Sequence, residues 1–477
     1  MNTFSKKIDL KHHISNITIF LLILIGTYIF FDNVLFNNNL ISGRGDGRLN
    51  TLFAEHWFHV FLGEEGWKEL PSFYPTTNVL SYSDIMLGFS IPYSVFRLFG
   101  INMYAAFKYS VIVIHLIGSF TLYYFANVCL KCSRMCSFIA VIGFSFSNGY
   151  YAIAGNPQLY AESFVPIILI CFYYYIHNFN SPNRHFYALV GLSVFALLFY
   201  TAFYVAFYAL LFVLILGVFT SIAFVLVRPK GLLSLLRKIL AHWKEYIIYI
   251  LFAILLMVPF IDLYLPTLHT LGGRSWEDII IYTPTIQNVF GFGYDNPWNV
   301  DTDVYHLNFG FSPLLLVIFV LLFGYYIYSH KINTNTTSKN TISTIIFISA
   351  IISVIFSMFL PVTTETGFSL WYFIYKIIPG ASAIRAVIRW LPFLTLPFSI
   401  CFCMLVEHFA NTLSNARQII LIVFSILVFT NNYSTVGVNT LWNETSELKF
   451  IESVSAPPKD CKIMFLTDST STYSSNL

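Results

Sequence analysis

Residues 203 to 227, FYVAFYALLFVLILGVFTSIAFVLV, run without a single charged side chain. As a helix at 1.5 Å per residue the stretch reaches about 37 Å, enough to cross a hydrocarbon core of roughly 30 Å. Its apolar residues are continuous rather than alternating, the pattern of a spanning helix and not of a barrel strand. The bilayer core offers no water to satisfy a backbone amide, so such a segment must satisfy its own. The whole chain has the same character: 477 residues, 57% hydrophobic and 10% charged, with a mean hydropathy of +0.70. Soluble domains carry about 25% charged residues. The sequence predicts an all-α, polytopic membrane protein.

Working outward from 203–227, further apolar runs lie near 14–36, 103–128, 136–154, 162–177, 186–201, 246–265, 309–329, 341–360, 388–407 and 418–434. Together they predict about eleven spans. Residues 186–227 make two crossings only if the chain reverses tightly near YTAFY at 200–204. The stretch 85–99 is too short to cross and carries Pro92 and Arg97, which predicts a helix at the membrane edge. With the N-terminus in the cytoplasm, the inner connections hold fourteen of the 26 basic residues but only Asp9, Glu245 and Glu407 of the 23 acids. That asymmetry fits the positive-inside rule. The first apolar run has no small-residue cleavage site after a short core, so it is expected to stay as a span.

This topology leaves residues 1–434 as one transmembrane domain with three long outer segments, 37–84, 266–308 and 361–387, and 435–477 as a short outer tail or the start of a further domain. Long loops rich in acids, aromatics and Gly/Pro turns are where a site is built. In the first, SGRGDGRLN sets Asp46 between Arg44 and Arg48 in a glycine-rich context expected to resist regular helix. LNTLFAEHWFHVFLG then spaces Leu52, Phe53, Trp57, Phe58, Phe61 and Leu62 as in a short interfacial helix, with Glu55, His56 and His59 facing away. The segment ends at Asp84, ahead of the next apolar run.

Asp46 reads either as a solvated turn residue or as a functional carboxylate, and Asp84 either as a helix N-cap or as its companion. A carboxylate at a membrane surface can act as general base toward a hydroxyl, or hold a divalent cation such as Mg or Mn that neutralises phosphate. The second segment carries Arg274, Trp276, Glu277, Asp278, Tyr294, Asp295, Trp298, Asp301, Asp303 and His306. Aromatic faces beside carboxylates suit carbohydrate, and equally an interfacial aromatic belt. In the third, Lys376, Arg385 and Arg389 lie at the edge of an apolar run. Arg385 and Arg389, four apart, are expected on one helix face. A guanidinium fork matches the oxygens of a lipid phosphate or pyrophosphate, while snorkelling to headgroups is the plainer account.

Other motifs carry less. Cys129, Cys132 and Cys136 cluster at one membrane edge without a fourth ligand nearby, and the remaining cysteines outline no disulfide framework. Glu162 is placed as the start of a helix, where the dipole favours it. No nucleotide loop, Ser-His-Asp order or nucleic-acid-binding stripe is present.

The succession GDGRLN, EHW, FYPTTNVLSYSD and LFGIN, followed by GNPQLYAESFVPI, LLFYTAFYVAFY and IIPGASAIRAVIRW, resembles bacterial members of the C-type glycosyltransferase superfamily, whose polytopic fold is called GT-C. The resemblance extends over nearly the whole chain, through short and degenerate motifs. It implies an enzyme of the bacterial cytoplasmic membrane that takes a sugar from a polyprenyl-phosphate carrier and passes it, on the outer face, to a lipid-linked or cell-envelope glycan acceptor. Asp46 matches the place of the central acid, Asp84 that of a second, and Arg385 and Arg389 would hold the carrier phosphate. The chain departs from the pattern where Asn156 stands in place of a common histidine, and where residues 435–477 hold too few apolar residues for an independent core. A transporter or flippase of lipid-linked glycans, and a non-catalytic scaffold, are the alternatives. A transporter would place polar groups deep in its spans, where this chain has mainly Lys108 and His115.

Overall fold

A computed structural model describes residues 10–42, 45–70, 76, 78–228, 237, 240–291, 310–332, 338–432 and 443–453. Among them the chain is all-helical, with no strand and only two isolated bridges. Seven helices are long and apolar enough to cross a membrane: Met103–Cys129, Pro157–His177, Phe203–Val227, Trp243–Leu271, Pro313–His330, Ile342–Phe359 and Val387–Thr412. Three shorter apolar helices, Asn16–Phe30, Asn183–Phe199 and Arg417–Asn431, lie with them. The chain is therefore a multi-pass membrane protein.

The expected run 136–154 is not one helix. It breaks after Arg134–Ser145 because Ser147 turns extended and caps a new short helix, Asn148–Ala152, by accepting a hydrogen bond from the Tyr150 N–H. The expected break near 200–204 is present: helix Asn183–Phe199 ends, and Phe203–Val227 begins after Ala202. Helix Trp243–Leu271 holds Pro259 and Pro266 in its interior. Beside Pro259 the Tyr200 hydroxyl enters the broken ladder, donating to Leu256 O at 2.7 Å and accepting from Phe260 N at 3.0 Å. In a water-free core this insertion satisfies two backbone groups that a kink would otherwise expose.

The first long segment folds differently from expectation. Gly45–Leu62 is helical from its first glycine, so Asp46 and Arg48 belong to its opening turn rather than to an irregular loop. Gly47 permits this, since a Cβ there would sit 2.4 Å from Ile41 O. Nor do Glu55 and His56 face away: His56 is buried, and Glu55 meets the next helix, Leu87–Leu98, through Arg97.

The tail is docked rather than free. Helix Glu444–Ser453 returns to the first segment, where Glu447 pairs with Arg48, and to helix Met103–Cys129, where Glu444 pairs with Lys108 at 2.9 Å. Lys108 and Glu444 are both buried, so each charge is compensated by the other.

Candidate functional site

The site forms where Ser83–Gly88 is fastened into the break between two helices. Every one of these six residues is held by a hydrogen bond. Ser83 O accepts from the Tyr264 hydroxyl at 2.6 Å, and Ile85 O from the Trp57 indole at 2.8 Å. Met86 N donates to Thr201 O, Leu87 N to Tyr200 O, and Gly88 N to Thr201 Oγ1 at 2.9 Å. Gly88 is required at this close approach, since a Cβ would lie 2.6 Å from Thr201 Oγ1. Met86 takes a left-handed conformation at φ +64 although it is not glycine. Such backbone strain, on the order of 1 kcal/mol, persists only where surrounding bonds over-determine it.

Asp84 sits in the middle of this clasp. Its Oδ1 accepts from the Phe203 N–H at 2.8 Å, across 119 residues of sequence. Helix Phe203–Val227 has Ala202 at its N-cap position, which offers no side-chain cap, so Asp84 supplies from a distance what the local sequence lacks. Asp84 keeps some exposed area, yet its carboxyl is packed densely enough that burial dominates. Desolvation pushes its pKa up from 3.8 to about 6, against the opposing effects of the Phe203 N–H and the Arg389 charge. No hydrogen bond occupies Oδ2 among the described residues.

Arg385 and Arg389 do not share a helix face. The 3-10 turns Ala381–Ala383 and Val387–Arg389 are separated by non-helical backbone, extended at Ile384 and with ψ 77 at Ala386. The two arginines are instead gathered around tyrosines. The Tyr204 hydroxyl accepts from Arg385 N at 2.9 Å while the Arg389 guanidinium lies 5.3 Å from the centre of the Tyr204 ring, and the Arg385 guanidinium lies 4.9 Å from that of Tyr282. Tyr208, one turn along from Tyr204, donates to Ala386 O at 3.3 Å. Neither arginine is in an ion pair among the described residues, and Arg389 acts on Asp84 through space without direct contact.

The second and third segments join beneath this cluster. Thr363 N donates to Pro284 O at 2.8 Å, Ile388 N to Tyr282 O at 2.9 Å and Arg274 N to Ser382 O at 3.1 Å. Asp84, Tyr282, Arg385 and Arg389, drawn from three distant segments, thus meet at one end of the helical bundle.

Other residues singled out in the sequence are placed elsewhere. Asp46 is exposed and accepts from the Asn156 amide at 2.6 Å. Trp57, which contacts the Asp84 clasp, lies eleven residues further along the same helix, about 16 Å away at helical rise. Arg48 is committed to Glu447 and packs over Phe450. Glu55 takes two hydrogen bonds from Arg97, at 2.9 and 2.7 Å, and one from Tyr93. Burial alone would raise its pKa, but these bonds and the Arg97 charge hold it below the ordinary carboxylate value. Both ring nitrogens of His56 face acceptors, Glu65 at 2.6 Å and Trp67 O at 3.2 Å. Arg48 thus ties the first segment to helix Glu444–Ser453, while Glu55 ties it to helix Leu87–Leu98 and His56 to its own return at Glu65 and Trp67.

Arg274 and Glu277 are exposed, while Asp278 accepts from the hydroxyl of Ser275, the N-cap of its helix, at 2.8 Å. Arg44, Tyr294, Asp295, Trp298, Asp301, Asp303 and His306 lie outside the described residues. Glu162 is not at the start of an α-helix but buried in the 3-10 stretch Pro157–Phe164, with Oε1 unpartnered. Among the described residues no group of three or more His, Cys, Asp or Glu side chains is arranged to hold a metal ion.

Sequence reasoning missed Thr201, Tyr204, Tyr208, Tyr264 and Tyr282. The signal was present in YTAFY at 200–204, where a helix break without a local cap requires a partner from elsewhere. Comparison with protein-family models, curated proteins and solved structures returns no match for this chain.

Proposed function

We propose that this protein is a membrane glycosyltransferase of the GT-C type, which moves a sugar from a polyprenyl-phosphate carrier to a lipid-linked or cell-envelope glycan acceptor on the outer face of a bacterial cytoplasmic membrane. The observation that carries the reading is Asp84 beside Arg389. A carboxylate with a pKa near 6 is ionised at neutral pH yet basic enough to take a proton. Asp84 accepts the proton of an acceptor hydroxyl through Oδ2 as that oxygen attacks the anomeric carbon. The bond between that carbon and the carrier phosphate oxygen breaks, and the phosphate leaves with the electron pair. Arg389 and Arg385 supply the fixed positive charge that stabilises it. Tyr204 and Tyr282 hold the two guanidinium groups in place by stacking.

Asp84 takes the role of base in preference to Asp46, whose partner among the described residues is the Asn156 amide rather than an arginine of this cluster. The donor set around Asp84, one carboxylate with phenols and guanidinium groups, does not fit a divalent cation, which prefers several anionic or neutral oxygens. The charge of the leaving phosphate is met by arginine instead. Incubating purified protein with radiolabelled sugar on polyprenyl phosphate and an envelope-glycan acceptor tests the reading. Labelled glycan formed by the native chain and not by Asp84→Asn supports it. No transfer to any acceptor in a lysate-derived glycan pool, with the carrier intact, counts against it.

A transport reading draws on a different observation: His115 and Glu162 are buried within the helices and leave three polar atoms without partners. Movement of a labelled lipid-linked glycan across vesicles, without transfer of its sugar, would favour that reading.

A further inference from the structure

The segments that carry Tyr282 and Arg385 also present an apolar surface that nothing in the described chain covers. Ile281, Phe368, Phe373 and Ile377 are 67%, 53%, 50% and 73% exposed, and none belongs to a helix long enough to cross a membrane. They are parts of one ledge. Trp276 of helix Trp276–Ile280 packs against Tyr372 and Tyr375 of helix Trp371–Ile377, with ring centres 5.1 and 5.5 Å apart. The Tyr375 hydroxyl donates to Arg274 O at 3.1 Å. Lys376 Nζ lies 5.5 and 5.4 Å from the rings of Tyr372 and Tyr375.

We propose that the apolar face of this ledge, residues 276 and 281 with 368–377, is immersed in the lipid leaflet on Asp84's side of the membrane, with the exposed carboxylate of Glu277 on its water side. Its apolar side chains lie at the boundary of headgroups and acyl chains, and Lys376 and Arg385 meet lipid phosphates. Three observations select lipid as the occupant. The ledge begins where helix Trp243–Leu271 ends, and Leu265, Leu268 and Leu271 of that helix are exposed toward the same end, so a lipid-facing span runs directly into it. Its composition of tryptophan, tyrosine and a lysine reaching past aromatic rings is that of side chains which settle at headgroup depth. Neither Lys376 nor Arg385 has an ion-pair partner among the described residues, and anionic headgroups complement both. Removal of four large apolar side chains from water favours immersion.

The inference does not depend on sugar transfer. Its consequence is that Arg385 lies at headgroup depth rather than in bulk water. The test uses the full chain in vesicles of phosphatidylethanolamine and phosphatidylglycerol, with p-benzoylphenylalanine incorporated singly at positions 373, 377 and 277. Irradiation should give phospholipid adducts at 373 and 377 severalfold more abundant than at 277. Adducts to a second protein chain, or lipid adducts no more abundant than at 277, would overturn it. The unlabelled protein gives a second reading: lipids brominated near the headgroup should quench the emission lost on Trp276→Phe more than lipids brominated at the chain ends. Equal or absent quenching of that component would also overturn it.

Discussion

Replacing Asp84 with Asn removes a charge whose burial opposes folding. Its pKa stands at about 6 in the folded chain against an ordinary 3.8. A shift of roughly two units corresponds to about 3 kcal/mol between the two protonation states. Between those pH values the folded state binds more protons than the unfolded one, so stability falls as pH rises. Below the window both states are protonated and the group contributes nothing; above it both are ionised and the full cost stands. Asn at this position keeps an oxygen to accept from the Phe203 N–H, so the helix cap survives without the charge. Asp84→Asn should therefore match the native chain at pH 4 and exceed it at pH 8, by up to about 3 kcal/mol. Denaturant unfolding in detergent micelles from pH 4 to 8 measures this. An Asn variant less stable at pH 8, or a difference that does not change with pH, would refute the reasoning. A carboxylate held at such a cost, in a clasp of five other bonded residues, is a stability sacrifice of the kind found at functional sites.

The surrounding charges make their own predictions. Arg389→Gln removes the cation that lowers the Asp84 pKa, so the acid limb of the pH–rate profile should move above pH 6 and KM for a phosphate-bearing donor should rise about tenfold or more. Arg97→Ala strands Glu55 and should cost about 2 kcal/mol at neutral pH. Because the folded pKa of Glu55 is depressed, the native pair's contribution is present above the unfolded carboxyl pKa and lost as pH falls through the folded value, which unfolding at pH 7 and pH 3 would show. Glu447→Gln should release helix Glu444–Ser453 from Arg48, seen as faster amide exchange confined to that helix and the first turn of Gly45–Leu62.

The sequence was most informative where solvent decides structure. Apolar length alone located the spans around 103–128, 203–227, 246–265, 309–329, 341–360 and 388–407, because the bilayer allows little else. Its failures share a cause: polar partners supplied from a distance. Glu55 and His56 looked solvent-facing because Arg97 and Glu65 could not be seen beside them. Arg48 stands beside Asp46 in the sequence, while its partner Glu447 lies 399 positions away. The Arg385 and Arg389 spacing is helical, yet the Tyr204 hydroxyl accepts from the N–H groups of 385 and 386, between two separate 3-10 turns. Asp84 was read correctly as near a helix start, but the helix it caps is Phe203–Val227 rather than the following one. A cap missing at Ala202 was the legible sign, and it needed three dimensions to match donor to acceptor.

Sugar transfer by Asp84→Asn and Asp46→Asn, purified side by side and assayed at pH 7.5 with labelled polyprenyl-phosphate sugar, tests the central assignment most directly. The account predicts that transfer by the Asp84 variant falls about a hundredfold or more while the protein stays folded, and that the Asp46 variant stays within about threefold of the native rate. Native-like transfer by the folded Asp84 variant would contradict it.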